Sequence, residues 1–253
     1  NAFGDVRSIS IEGSIVSENY YDAAGRVWRT TSGDGVLKFF MYDANGNQTL
    51  TVTSDGDNFS TIESVSDVST IWGADTSRIG NIYSEGRNAT ITLYDSVGNA
   101  VEVQEPEREL SEGGARTRLI TQRGFNAFGE VIWEMDARNY ARWAGVGAND
   151  DYRVDYTHNT AGKVTSISTP AVSVWEADGS ETVNQHLTTL QYYDASGRLV
   201  ATRDANGSLT ERILLEGTGY QPGSEQVVSV AYPDQGNTKT LYDVFGNVRV
   251  SSD

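Results

Sequence analysis

The chain has 253 residues, and its 35 Asp and Glu against 19 Lys and Arg give a formal net charge of −16 at pH 7. Such a surface repels phosphate backbones and anionic lipids, so a nucleic-acid partner is not expected. The absence of cysteine excludes disulfides and thiolate metal sites. No apolar run approaches 18 residues, so membrane insertion is not expected either.

A five-residue phrase recurs along the chain: an aromatic residue, Asp or Asn, two variable residues and Gly. The Asp or Asn side chain can hydrogen-bond the backbone two residues on, and Gly takes a positive φ without steric cost, so each copy predicts a tight turn. We call these phrases repeat turns. Their predicted role is structural, with no catalytic, cofactor-binding or metal-binding residue, and the residues are Tyr21, Asp22, Gly25, Tyr42, Asp43, Gly46, Tyr94, Asp95, Gly98, Phe125, Asn126, Gly129, His158, Asn159, Gly162, Tyr193, Asp194, Gly197, Tyr242, Asp243 and Gly246.

An eighth copy, Asn1-Ala2-Phe3-Gly4, lacks only its aromatic, and the first three glycines are spaced by 21 residues. Each Gly is followed by a run rich in β-branched and aromatic residues, which predicts a strand. About ten residues later a second turn is predicted. Its positions are Asp34-Gly35, Asp55-Gly56, Arg138-Asn139 and Asn206-Gly207. One repeat is therefore turn, strand, turn, strand, and eight copies indicate a repeat architecture.

Longer spacings between the later glycines predict insertions within residues 55–90, 139–155, 166–190 and 208–238. Glu85-Gly86 and Asp178-Gly179 predict the turns of longer hairpins in two of these insertions. Residues 136–145 are the single helical candidate in the sequence.

Pairing of successive repeats would place the repeat-turn aromatics near one line along the sheet. The residue before each aromatic is often apolar and by alternation faces the other side of the sheet. The residues at this position are Tyr20, Met41, Leu93, Tyr192 and Leu241. The predicted fold is therefore all-β, with antiparallel hairpin repeats forming a curved or spiralling strip. Residues 1–253 are expected to form one continuous array, a fragment of a much longer chain, because the sequence starts and stops inside a repeat.

The phrase Tyr193-Asp194-Ala195-Ser196-Gly197-Arg198-Leu199, followed by Asp204-Ala205-Asn206-Gly207, resembles the Rhs, or YD, repeat. This family includes bacterial Rhs proteins, Tc-toxin shell proteins, wall-associated bacterial proteins and teneurin-like proteins. The resemblance implies a β-strip that winds into a shell around a toxin or effector domain, in a secreted or cell-surface protein. Toxin-type shells end in an Asp-Pro-x-Gly-Leu segment that releases the effector, and no Asp-Pro occurs here.

The leading functional expectation is therefore a structural repeat segment of a shell, whose partners are neighbouring repeats of the same parent chain and an encapsulated effector. The alternative is a surface adhesion or recognition module that binds carbohydrate or a protein through the insertions at 55–90 and 139–155. A third possibility is self-association through exposed edge strands. No enzymatic activity is expected.

Other candidate chemistry has a simpler structural interpretation. The tryptophans (Trp28, Trp72, Trp133, Trp143 and Trp175) could line a sugar groove, but cross-strand packing explains them better. His158 and His186 lack a third zinc ligand at fixed spacing. Asp43–Asn47 and Asp55–Asn58 offer oxygens at alternate positions, so incidental calcium is conceivable, but no EF-hand glutamate follows them. No cofactor is predicted.

Overall fold

The computed structural model describes residues 4–12, 14–31, 36–53, 89–143, 149–175, 178–215, 226–231, 236–243, 245 and 247–252. These residues are mostly strands, and seventeen of the strands belong to one antiparallel sheet, which confirms the predicted all-β class. The predicted turns Asp34-Gly35, Asp55-Gly56 and Glu85-Gly86 lie outside the described residues, as do Trp72 and Gly246.

The chain divides into two compact units. The first comprises residues 1–123 and 136–142, and the second comprises 124–135 and 143–253. In the first unit the strands pair antiparallel in chain order, apart from a small separate hairpin before the last strand. The strands are β1 (Ser8–Ile11), β2 (Ser14–Tyr21), β3 (Val27–Thr31), β4 (Leu37–Tyr42), β5 (Gln48–Thr53), β6 (Ala89–Tyr94), β7 (Ala100–Gln104), the small hairpin β8 (Arg108–Glu109) and β9 (Arg116–Thr117), and β10 (Ile120–Phe125), whose last two residues belong to the second unit.

The second unit repeats this scheme. Its strands pair antiparallel in the order β11, β12, β13, β16 and then β17 to β21, and β14 and β15 form a separate hairpin. The bounds are β11 (Val131–Met135), β12 (Val154–His158), β13 (Val164–Ser168), β14 (Val172–Trp175), β15 (Glu181–Gln185), β16 (Thr188–Tyr193), β17 (Leu199–Arg203), β18 (Leu209–Leu215), β19 (Gln226–Ala231), β20 (Asn237–Tyr242) and β21 (Val248–Ser252).

The predicted short helix is present as α1 (Ala137–Trp143), inside the range 136–145. Asp136 caps it, because the Oδ1 atom of Asp136 accepts a hydrogen bond of 2.7 Å from the Asn139 amide. The prediction of a second turn at Arg138-Asn139 is therefore wrong, since without a glycine at this offset the capped chain continues as helix. A 3-10 helix follows at Asn149–Tyr152.

The core of the first unit lies on one face of its sheet. Trp28, Phe39, Leu50, Val52, Ala89 and Ile91 form the buried cluster. Tyr20, Met41 and Leu93, the residues before three repeat-turn aromatics, pack against this cluster, as the alternation predicted. The rings of Tyr20 and Phe39 each lie 6.3 Å from the Trp28 ring, centre to centre. In the second unit the corresponding Tyr192 is 42% exposed.

Candidate functional site

Each repeat turn is closed by its own Asp or Asn side chain. In the turn at Asp43, Oδ1 accepts hydrogen bonds from the amides of Asn45 (2.9 Å) and Asn47 (2.8 Å), and Oδ2 accepts one of 2.9 Å from Asn47 Nδ2. The Gly46 amide donates to the Asp43 carbonyl at 3.1 Å, and Gly46 has φ +90°. The carboxylate thus bonds two backbone amides, where the sequence predicted only the one two residues on.

The same bonds to Oδ1 occur at all seven complete repeat turns, which begin with Tyr, Phe or, in one copy, His158. In each, Oδ1 accepts from the amides two and four residues on, at 2.8 to 3.1 Å. The described glycines have φ between +74° and +96°, a region that favours glycine: Gly25, Gly46, Gly98, Gly129, Gly162 and Gly197.

The turn bonds also lower the pKa of the repeat carboxyl groups. The side-chain amides of Asn47 and Asn99 are the main cause of the lowered pKa of Asp43 and Asp95, with backbone amides adding to the effect. For Asp194 the largest cause of the lowered pKa is the backbone amide of Arg198. A carboxyl group held ionised in this way accepts hydrogen bonds and is a poor general acid.

The same turn chemistry occurs at a second turn of one repeat. The Asp204 Oδ1 accepts a hydrogen bond of 2.8 Å from the Ser208 amide, and Gly207 has φ +89°. The Gly207 amide donates to the Asp204 carbonyl at 3.0 Å. The predicted turn at Asn206-Gly207 is therefore present, and Asp204, the first residue of the quoted phrase Asp204–Gly207, closes it. Gly179 (φ +82°) likewise lies in the turn predicted at Asp178-Gly179, between β14 and β15.

Tyrosine hydroxyl groups tie each repeat turn of the first unit to the one before it. The Tyr42 hydroxyl donates to the Val27 carbonyl at 2.8 Å, and the Tyr94 hydroxyl donates to the Gln48 carbonyl at 3.1 Å. The acceptor is always the second residue after the preceding glycine, and Tyr21 follows the same rule with Val6 at 2.8 Å. These tyrosines therefore act through their hydroxyl groups, a role that the predicted line of ring contacts did not include.

Arg26, the residue after Gly25, reaches in the opposite direction, towards the next turn. Arg26 bonds Asp22 of its own turn through Nε at 2.8 Å, and its Nη1 donates to the Asp43 carbonyl at 3.1 Å. The guanidinium carbon lies 4.7 Å from the centre of the Tyr42 ring, within cation–π range. The turns of Asp22 and Asp43 are thus joined by side chains in both directions along the chain.

In the second unit a cleft of about 710 Å³ lies beside two successive repeat turns. We call it the His158 cleft, and it is bordered by Phe128, Glu130, Tyr156, His158 and the turn that ends at Gly162. Phe128 is 89% exposed. The Nδ1 atom of His158 is buried and has no hydrogen-bond partner among the described residues. No feature of the sequence alone marked this cleft, although histidine in a tyrosine slot was visible.

The described tryptophans have separate environments. Trp28 is in the core, where it packs across strands as the structural interpretation predicted. Trp133 lies against Gly124, where a Cβ atom would collide with the indole ring, and the Arg153 guanidinium carbon is 5.3 Å from its ring centre. Trp175 is 70% exposed on the β14–β15 hairpin.

Neither histidine belongs to a described metal cluster. His186 Nδ1 lies 2.8 Å from the Thr169 carbonyl oxygen, and its Nε2 lies 3.7 Å from Asp151 Oδ1. Within the described ranges no three His, Cys, Asp or Glu side chains are grouped to hold a metal ion. The helices in that part of the chain are too short or too polar to cross a membrane.

No protein-family model matches the chain, and no curated protein matches it significantly. Similar solved structures include TcdB2-TccC3 (12% identity, 92% of this chain and 15% of that one, TM-score 0.32) and TcdB2-TccC3 without its hypervariable C-terminal region (13%, 92% and 15%, 0.32). Another is the Photorhabdus luminescens Tc holotoxin pore, at 12% identity over 93% of this chain and 18% of that one, with TM-score 0.32. The chain thus spans less than a fifth of these proteins. Its antiparallel architecture is established by its own strand pairing.

Proposed function

We propose that the chain is a structural segment of a shell, formed by a large bacterial secreted or cell-surface protein around a toxin or effector domain. The observation that carries this proposal is the bonding between successive repeat turns. Arg26 and Tyr42 link neighbouring turns in both directions, and the carboxylate of Asp43 accepts hydrogen bonds from residues of its own turn. In the first unit these polar residues of the repeat thus bond neighbouring strands to one another.

A shell segment needs a sheet that extends strand by strand without interruption. The antiparallel pairing supplies this, because each hairpin offers its outer strand to the next hairpin. Repeat units of this kind bury surface mainly against their neighbours, so their number can grow along one direction. Partners of this segment would accordingly be the neighbouring repeats of the parent chain.

The enclosed effector is inferred from the resemblance of Tyr193–Gly207 to the Rhs repeat. The mechanism would be steric, since a continuous sheet keeps an enclosed polypeptide away from proteases and from its targets until delivery. We propose no enzymatic activity and no resident cofactor for this segment. At the repeat turn of Asp43, the oxygens that a calcium ion would need already accept hydrogen bonds from Asn45 and Asn47.

Limited proteolysis of the full-length parent protein tests the proposal. The region that follows the repeats should resist trypsin in the native protein and become sensitive when Gly46→Val and Gly197→Val weaken two repeat turns. Ala44→Val is the matched control, because it adds the same side chain at an exposed position of the same turn. The parent reading frame should also contain Asp-Pro-x-Gly-Leu and a further domain.

Rapid trypsin cleavage of that region in the native protein, at the same rate as in the glycine variants, would refute enclosure. Glycan binding by the present chain, lost in Trp143→Ala, would instead support the adhesion alternative, since Trp143 belongs to the insertion at residues 139–155.

A further inference from the structure

The His158 cleft occupies a defined position in the repeat. It lies beside the turns that end at Gly129 and Gly162, with Glu130 as the residue after the first glycine and His158 in the aromatic slot of the second turn. All of its lining residues belong to the second unit. The same position occurs in the first unit, beside the turns that end at Gly25 and Gly46, so the two can be compared residue by residue.

Beside the turns that end at Gly25 and Gly46, a cation fills this position. Arg26 is the residue after Gly25, and its guanidinium lies over the ring of Tyr42, 4.7 Å from guanidinium carbon to ring centre. Its Nη1 donates to the Asp43 carbonyl, and the Tyr42 hydroxyl donates to Val27. The chain itself therefore shows that a guanidinium suits the space beside two successive repeat turns.

In the second unit both partners are replaced. Glu130 stands where the first unit has Arg26, so the charge at this position is reversed. His158 stands where the first unit has Tyr42, and its shorter imidazole has no hydroxyl group to reach the preceding turn. Its buried Nδ1 has no hydrogen-bond partner among the described residues. The result is an open cleft whose described lining residues include the Glu130 carboxylate and no Lys or Arg.

The carboxylate of Glu130 is bonded to the first turn and lies against the second. Its Oε2 accepts a hydrogen bond of 2.6 Å from the Asn126 side-chain amide. Its Oε1 lies 2.8 Å from the position that a Cβ atom would take on Gly162, so the side chain packs against the second turn. Phe128, at the border of the same cleft, exposes 89% of its surface. A fixed carboxylate and an exposed aromatic ring thus border one cleft.

We propose that the His158 cleft binds the guanidinium of an arginine side chain supplied by a polypeptide partner. The Glu130 carboxylate would accept charge-assisted hydrogen bonds, and the Phe128 ring would offer its face to the planar cation. Arginine suits the site better than lysine, because the guanidinium both stacks on rings and bonds carboxylates through several N–H groups. The net charge of −16 also favours the approach of a cationic segment. This chemistry does not depend on whether the sheet encloses an effector.

Binding of N-acetyl-arginine amide to the intact chain, followed by amide chemical shifts in NMR, tests the proposal. N-acetyl-citrulline amide is the matched probe, with nearly the same shape and no charge. The arginine probe should shift the amides of Phe128, Glu130 and Gly162, and the citrulline probe should leave them unchanged at equal concentration. Equal shifts with both probes, or arginine-induced shifts elsewhere only, would overturn the proposal.

Two variants locate the charge recognition. Glu130→Gln should weaken binding of the arginine probe about tenfold, the effect expected for one charge-assisted hydrogen bond. The control Glu181→Gln, an exposed change outside the cleft, should leave the affinity unchanged. The double variant Glu130→Arg with His158→Tyr recreates the pair of Arg26 and Tyr42 and should abolish probe binding in a chain that keeps its circular dichroism spectrum. Unchanged affinity in Glu130→Gln would overturn the proposal, even if the double variant does not fold.

Discussion

Replacement of Gly46 by alanine isolates the backbone energy of a repeat turn. Nothing lies within 4 Å of the position that the new Cβ would take, so steric contact contributes nothing. Gly46 has φ +90°, and an L-residue in the left-handed region costs about 1–2 kcal/mol. Alanine also restricts the unfolded chain, which returns about 0.4–1 kcal/mol. The expected net loss in free energy of unfolding is therefore about 1 kcal/mol.

Urea unfolding followed by far-UV circular dichroism measures this loss. With a slope of about 1–3 kcal/mol per molar urea, the midpoint should fall by about 0.3–1 M. Gly46→Asn is the control, because asparagine enters the left-handed region more readily than alanine and should cost less. An unchanged midpoint in Gly46→Ala, or a larger loss in Gly46→Asn, would refute the assignment of a left-handed turn.

Three further measurements follow from the first unit. Phe39→Ala should cost about 3–5 kcal/mol in urea unfolding, since Phe39 is fully buried, and a loss below 1 kcal/mol would contradict its place in the core. Tyr42→Phe should cost about 1 kcal/mol through loss of the bond to Val27, whereas Tyr192→Phe, at a half-exposed ring, should be nearly neutral. The pKa of Asp43 lies below its ordinary 3.8 in the folded chain, chiefly because the Asn47 side-chain amide bonds the carboxylate. The ionised carboxylate therefore stabilises the fold fully at pH values above 3.8, and this stabilisation is lost as the pH falls through the lowered pKa of the folded chain. Acid titration of stability should therefore show a shallower decline below about pH 4 in Asp43→Asn than in the native chain, and an identical slope would contradict this role.

The hairpins were predictable because their turns are local. The bonds from the Asp43 side chain run to residues two and four positions on, so the five-residue phrase and the residue after it contain both partners. Even the conservative exchange of Asp for Asn at Asn126 and Asn159 keeps the bonds, because Oδ1 accepts in both residue types. Helix α1 was also visible, since Asp136 is a local cap.

Contacts between successive turns were not predictable from local sequence. The bond from Tyr94 to Gln48 spans 46 positions along the chain, and it forms only because β5 and β6 pair in one particular register. The His158 cleft depends in the same way on how β11 pairs with β12. In sequence, His158 is only a substitution in the aromatic slot, and the open space beside it follows from the strand register.

The connections of each unit differ between the two ends of the strands. At one end, the repeat turns of Asp22, Asp43 and Asp95 keep the same five-residue length. At the other end, β5 and β6 are separated by residues 54–88, while β3 and β4 are separated by only 32–36. Connections of very different length at that end thus leave the register of the repeat turns intact. Such a sheet can therefore accommodate added segments along one margin without refolding the strands that carry them.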